Sequence, residues 1–356
     1  MSLTELPGPG GRTVYRRDVT KRDGRPLRLY GYEPHGLDPL PQDGGEVAKG
    51  GELRFHPLRR EWNVYAPHRQ NRTFKPSAAD DPLAPTLPGG AATEIPFADF
   101  ELAVFENKFT SLHRDAPAPP DVPGVETKRA RGHCDVVVYT PELAGSLHTI
   151  GQDRRRLLLT AWNDRYAQLF ARGLDFVYPF ESRGEAVGVT LHHPHGQIYA
   201  FPFTPAVQAA AARSFADGYA LSAHMRSVAD DHGVAQAGGV RATCPPFARF
   251  PYETYITCDR PLRGPWDMTE EEADGFAHLL GDMTRRYDAL FGQDTPYMLT
   301  LHAAPASAGA WEFSAQFYPL LRAPGRVKYL ASVEQGTGVF TVDVMPQAAA
   351  SALRAL

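Results

Sequence analysis

Residues 165–170 read RYAQLF and residues 286–291 read RYDALF, and a glycine follows each hexamer closely, Gly173 in one case and Gly292 in the other. Each hexamer closes a helix-like run. Over 152–172, Leu158, Trp162, Tyr166, Leu169 and Phe170 recur at helical spacing along one face. Over 269–291 the same spacing collects Phe276, Leu279, Leu280, Met283, Tyr287 and Leu290, and Thr269 with Glu272 forms a capping-box pattern at the start. Two strand-like stretches follow each run: 175–180 and 188–203 after the first, 297–302 and 311–318 after the second. Helix, strand, strand, twice over, predicts an α+β chain of two related halves, although Y-x-x-L-F alone is also a common helix ending.

The remaining sequence sets bounds around that repeat. A chain of 356 residues with 43% hydrophobic residues can bury a large core and is the length of two domains. The first half is expected over 51–206 and the second over 207–356. Residues 1–50, rich in glycine, proline and charge, read as a loosely structured lead-in. Two proline-rich stretches, 75–92 and 114–125, read as loops. No run of 18 apolar residues exists, and the first residues lack the apolar core of a secretory signal. A net charge of −4 argues against a protein built to grip a nucleic-acid backbone. Only three cysteines occur, Cys134, Cys244 and Cys258, with no CxxC, which suits a reducing cytoplasm and excludes a disulfide scaffold.

The second strand-like stretch of the first half, GVTLHHPHGQIYAFPF (188–203), carries the chemistry. In an extended chain His193, His195 and Gln197 fall on one face. Three polar side chains beside apolar neighbours need partners. A hydrogen-bonded histidine cluster answers that need, and so does a metal site with His193 and His195 as ligands. Gly196 beside the second histidine adds specificity, because glycine lets a ligand approach the backbone closely.

On these residues the segment FESRGEAVGVTLHHPHGQIYA (180–200) resembles the active-site segment of galactose-1-phosphate uridylyltransferases, a nucleotidyl-transferring branch of the histidine triad superfamily. The resemblance extends from about Arg54 to Glu334. It implies two histidine-triad-like halves, each an antiparallel sheet with packed helices. It also implies His195 as a covalent nucleophile, Gln197 as a donor to the phosphoryl group, and His193 as the residue that orients His195. HPLRREWNVYAPHRQNRTF (56–74) matches the family's N-terminal stretch and places Arg69 and Arg72 on phosphate-binding positions. VFENKF (104–109) matches the segment that holds uridine, through Asn107 and Phe109. Ser182, Gly188 and Thr190 fall around the phosphates. VKYLASVEQGTG (327–338) aligns with a sugar-binding strand carrying Lys328 and Glu334. The implied substrates are UDP-glucose or UDP-galactose and hexose 1-phosphates, and the implied assembly is a homodimer with shared sites. No nucleic-acid or membrane partner is expected.

Two departures from the family pattern stand out. Many members hold a structural zinc through a CxxC, a distant histidine and the first histidine of H-P-H. Here Asp81-Pro82-Leu83-Ala84 occupies the CxxC region and Leu143 the distant position. One remaining imidazole cannot hold tetrahedral zinc, so no metal or other cofactor is expected. In the second half, Ser314 and Gln316 stand where many members carry histidines of a second metal site, leaving His302 as a hydrogen-bonded structural residue. Adenylyl transfer to phosphate, from ADP-glucose or a dinucleoside polyphosphate, is the neighbouring activity on the same motif. A non-catalytic nucleotide-binding protein is a more distant reading.

Overall fold

The computed structural model describes residues 1–42, 44–71 and 80–356. Along the chain come strands β1 (Ser2–Pro7), β2 (Thr13–Thr20), β3 (Pro26–Gly31), β4 (Glu52–His56), β5 (Glu61–Tyr65), β6 (Leu102–Glu106), β7 (Thr127–Arg129) and β8 (His133–Val138). Helix α1 (Gly151–Ala171) leads into β9 (Phe176–Arg183) and β10 (His195–Phe201). Three shorter helices follow: α2 (Ala206–Ala216), α3 (Leu221–Ser227) and α4 (Ala229–His232). Then come β11 (Gly233–Ala237), β12 (Val240–Thr243), β13 (Thr254–Cys258), α5 (Glu270–Phe291), β14 (Tyr297–His302) and β15 (Ser314–Pro319). The chain closes with a small hairpin of β16 (Leu321–Ala323) and β17 (Arg326–Val327), and helices α6 (Ser332–Thr337) and α7 (Pro346–Arg354).

Twelve strands form one sheet in the order β1-β2-β3-β6-β8-β10-β9-β14-β15-β13-β12-β11. Every neighbouring pair is antiparallel. The order is palindromic about the β9–β14 seam: β8-β10-β9 on one side answers β13-β15-β14 on the other. The predicted helix–strand–strand repeat is therefore real in topology. Its two copies share a single sheet, and one apolar core cluster runs through both. The division near residue 206 thus marks a repeat within one body.

Both long helices form where the periodicity places them. Thr269 caps α5 reciprocally: its Oγ1 accepts the Glu272 N–H (3.2 Å), and Glu272 Oε2 accepts the Thr269 N–H (2.8 Å). Gly292, at φ +65°, ends the helix in the left-handed conformation that glycine adopts without strain. Leu158, Trp162, Tyr166 and Leu169 on α1, and Phe276, Leu279, Leu280, Met283 and Tyr287 on α5, are buried in the shared core. Burial of each large side chain stabilises by about 1.5–3 kcal/mol. Cutting Leu158 back to alanine would cost about 2–5 kcal/mol. The two long helices pack on one face of the sheet, through the side chains of that shared core. On the other face of β10, Tyr199 and Phe201 pack against a small apolar cluster around Leu53, Leu112 and Cys134, while His195 and Gln197 face a cavity.

The expectation of a loose lead-in fails for residues 2–31. They form β1, β2 and β3, which extend the sheet beyond β6. The reason is visible in VYRRDV and LRLY, where Val14, Val19, Leu27, Leu29 and Tyr30 are fully or nearly buried and arginines fill the positions between. A turn through Asp23-Gly24 joins β2 to β3, with the Lys21 N–H donating to the Arg25 carbonyl (2.9 Å). Among the described residues, no helix is long and apolar enough to cross a membrane.

Candidate active site

Strand β10 begins at His195 and lies between β8 and β9, with Gln197 opposite Val136 on one side and Phe180 on the other. Alternation along the strand buries Gly196, Ile198 and Ala200 and points His195, Gln197 and Tyr199 to the face away from the helices. Two of the three polar residues therefore share a face as expected. His193 does not, because the strand starts after it. It sits in the preceding bend with its ring turned inward and only 2% of its surface exposed.

The two histidines are linked through the backbone. His195 Nδ1–H donates to the backbone carbonyl of His193 (2.7 Å). That bond fixes the tautomer and leaves the Nε2 lone pair as the reactive position. Burial lowers the basicity of His195 below that of an ordinary histidine, which keeps Nε2 unprotonated near neutrality. The His193 ring faces two acceptors: Nδ1 meets Asp81 Oδ2 (2.8 Å) and Nε2 meets the Thr140 carbonyl (2.7 Å).

His195 and Gln197 stand between two adjoining cavities of about 280 Å³ each, and Thr190 lines both. The first is also lined by Arg69, Asn107 and Phe109, the second by Ser182 and Gly188. Asn107 Oδ1 accepts the Phe109 N–H (2.9 Å), which shapes the turn that presents both residues. Arg69 Nη1 donates to the Phe109 carbonyl (2.8 Å) and to Tyr199 Oη (3.3 Å), which places its guanidinium beside that turn. Arg72 lies outside the described residues.

Gly196 lines the second cavity, and its Cα also faces a tyrosine packed beneath the strand. A Cβ there would stand 2.2 Å from Tyr139 Oη and 2.8 Å from the Phe180 carbonyl. The glycine thus admits a tyrosine from beneath the strand, on the face opposite the cavities.

Lys328 and Glu334 line neither of these two cavities. The expected strand around them is a loop followed by α6. Glu334 sits in the first turn of that helix, where its carboxylate accepts the Ala331 N–H (3.0 Å) and the Thr341 hydroxyl (2.6 Å). Lys328 Nζ reaches Glu334 Oε1 (3.3 Å) and Thr341 Oγ1 (3.1 Å). Helix capping outweighed strand propensity here.

The second half repeats the strand without its histidine. Ser314-Ala315-Gln316-Phe317-Tyr318 on β15 takes the place of His195-Gly196-Gln197-Ile198-Tyr199 on β10. Gln316 Nε2 donates to Ser314 Oγ (2.9 Å). His302 Nε2 is hydrogen-bonded to Thr300 Oγ1 (2.8 Å), and burial lowers its pKa to about 4.

Sequence reasoning missed Lys21, Asp23, Arg25 and Glu94, all of which line the first cavity. Lys21 and Arg25 each pair with Glu94, and Arg25 also pairs with Asp23. An Asp-Gly turn between two alternating runs was the available signal. Asp81, too, was read only as a lost cysteine.

A tautomer-fixed histidine and a glutamine two residues on thus face a cavity from an antiparallel sheet built of repeated helix–strand–strand units. Residues 46–205 match the family model "Galactose-1-phosphate uridyl transferase, N-terminal domain". A galactose-1-phosphate uridylyltransferase of Thermotoga maritima is 34% identical over 319 residues, covering 85% of this chain and 98% of its own. One from Streptomyces lividans is 32% identical, covering 71% and 70%. Among solved structures, a uridylyltransferase superposes with TM-score 0.76 at 25% identity, over 85% of this chain and 97% of its own. An ADP-glucose phosphorylase of Arabidopsis thaliana shares the fold with TM-score 0.64 at 20% identity, over 85% and 98%. The chain belongs to the galactose-1-phosphate uridylyltransferase family and is a nucleotidyltransferase.

Proposed function

We propose that this chain transfers UMP between UDP-glucose and galactose 1-phosphate by double displacement through His195. The observation that carries this reading is the 2.7 Å bond from His195 Nδ1–H to the His193 carbonyl, which frees Nε2 beside both cavities. In the first step Nε2 attacks the α-phosphorus of UDP-glucose. A P–N bond forms, the bond from the α-phosphorus to the bridging oxygen breaks, and glucose 1-phosphate leaves with that oxygen. In the second step a phosphate oxygen of galactose 1-phosphate attacks the same phosphorus, the P–N bond breaks, and UDP-galactose leaves. The departing sugar phosphate is a weak base and needs no strong acid, so Gln197 can donate to a non-bridging oxygen without titrating.

On this reading the cavity with Asn107 and Phe109 takes the uridine, Arg69 and Arg72 meet phosphate oxygens, and Ser182, Gly188 and Thr190 surround the phosphates. Lys328 and Glu334 act across a homodimer. Their segment carries exposed Tyr329, Val333 and Val339, apolar side chains that a second copy would cover. The reading places the enzyme in the cytoplasm, where three unpaired thiols persist. It assigns the enzyme no cofactor and no nucleic-acid or membrane partner.

The test is intact mass after incubation with UDP-glucose or ADP-glucose. UDP-glucose should give an acid-labile UMP adduct that is absent in His195→Gly. Absence of any adduct would overturn the reading, and preferential AMP labelling would replace it with adenylyl transfer.

A further inference from the structure

The residues at the family's zinc position do not fit a zinc ion. Both ring nitrogens of His193 are committed, Nδ1 to Asp81 Oδ2 (2.8 Å) and Nε2 to the Thr140 carbonyl (2.7 Å). Asp81 Oδ1 accepts the Leu83 N–H (2.9 Å), Ala84 offers a methyl, and Leu143 projects to solvent with 44% of its surface exposed. Among the described residues, no group of three or more His, Cys, Asp or Glu is arranged to hold a metal.

We infer that Asp81 replaces the metal as the tie between the 81–84 segment and the H-P-H bend, and that it is a positioning residue for His195. The tie acts at both ends. At one end, Asp81 Oδ1 holds the turn that sets Pro82 and Leu83 into the wall of the uridine-side cavity. At the other, Asp81 and Thr140 clamp the His193 ring from opposite edges, and the Tyr139 N–H binds the Pro194 carbonyl (3.1 Å). The backbone between His193 and His195 is thereby fixed. The His193 carbonyl is the partner of His195 Nδ1, so the direction of Nε2 depends on where that carbonyl points. Burial opposes ionisation of Asp81, and the His193 ring and the Leu83 N–H outweigh it, leaving its pKa below the ordinary carboxylate value. With an N–H on each ring nitrogen, His193 donates to the Asp81 carboxylate on one edge and to the Thr140 carbonyl on the other, a tie that needs no metal ion.

The inference rests on the covalent His195 reading, and the experiment separates the two. Single-turnover labelling by UDP-glucose is measured for wild type, Asp81→Asn and Asp81→Ala. Asp81→Asn keeps the shape and the acceptor for Leu83 while losing the charge. The expected result is a loss of about 10–100-fold in labelling rate for Asp81→Ala, a smaller loss for Asp81→Asn, and a KM for UDP-glucose within about threefold of wild type. Imidazole supplied in solution to His195→Gly needs no clamp, so UMP transfer to it should be equal with and without Asp81→Ala. A matching loss in that background would make Asp81 a general structural residue and overturn the inference. So would unchanged labelling by Asp81→Ala, or one tightly held zinc per wild-type chain after chelator washing. If wild type itself fails to label, the covalent reading falls first.

Discussion

Arg25 donates to Glu94 Oε2 at 2.6 Å, and this pair fastens the N-terminal hairpin to the wall of the cavity that holds His195. The same guanidinium binds Asp23 Oδ2 (2.7 Å) and the Glu106 carbonyl (2.8 Å), and its side chain is only 4% exposed. Arg25→Ala would leave Asp23 without its buried counter-ion and Glu94 with Lys21 alone. Removing one member of such a buried group costs about 3–5 kcal/mol. Urea unfolding should show that loss, and a change below about 1 kcal/mol would mean that water reaches these carboxylates.

Gln197 lies two residues along the strand from His195, the proposed nucleophile, and lines both cavities. Removing a preorganised donor to a developing phosphoryl charge costs about 10²–10³-fold in rate. Gln197→Ala should therefore lower the single-turnover labelling rate by that factor while UDP-glucose still binds, as titration calorimetry would show. Parallel losses in rate and affinity would instead place Gln197 in ground-state binding.

Gly196→Ala should be severe for a reason unrelated to substrate. Its Cβ would press on Tyr139 Oη at 2.2 Å, in a strand bonded on both sides. Overpacking of this kind costs about 1–3 kcal/mol. Tyr139→Phe removes the closest atom, so the double variant should recover part of the loss. Strict additivity in the double-mutant cycle would disprove the clash.

Glu181 gives the fold a pH dependence. Its carboxyl is buried on β9, Oε1 accepts the Tyr297 hydroxyl (2.8 Å), and burial pushes its pKa up to about 7. The unfolded chain releases this proton near the ordinary value of 4.5, whereas the folded protein keeps it to about 7. Stability from this group is thus present below pH 4.5, falls between 4.5 and 7, and is lost above. Glu181→Gln removes the slope, so the stability of wild type relative to the variant should drop by roughly 3 kcal/mol across that window. Urea midpoints measured from pH 4.5 to 8 check it, and a flat difference would contradict the burial.

Cys134, Cys244 and Cys258 are buried, and burial raises their pKa values to about 11, 12 and 12. None should react with an aromatic disulfide reagent in the native protein, and all three should react in denaturant. Rapid reaction of one thiol in native buffer would show a local opening around it.

Much of this was readable from the chain because strong local signals agreed with the fold. Thr269, Glu272 and Gly292 mark the ends of α5 chemically, and the alternation from His195 to Tyr199 gives the face of β10 directly. His193 was misplaced because alternation assumes that the strand continues, and Pro194 ends it. Asp81 was illegible because its ring partner, His193, is 112 positions away in sequence, and nothing local announces such a pairing. The hairpin of residues 13–31 was hidden by its own composition, since charged residues that look like a solvated linker are paired to one another and to Glu94.

The antiparallel seam between β9 and β14, with Thr300 opposite Phe180 and Met298 opposite Ser182, has a consequence for any attempt to dissect the enzyme. The strand of His195, β10, is one ladder removed from that seam. A fragment ending near residue 206 would hold His195, Gln197 and the whole cavity lined by Asn107 and Phe109, yet β9 would become a bare edge and α1 would lose the partner packed along it. The second half is the counterweight that keeps the first in register, so expressing the first half alone should yield an insoluble chain.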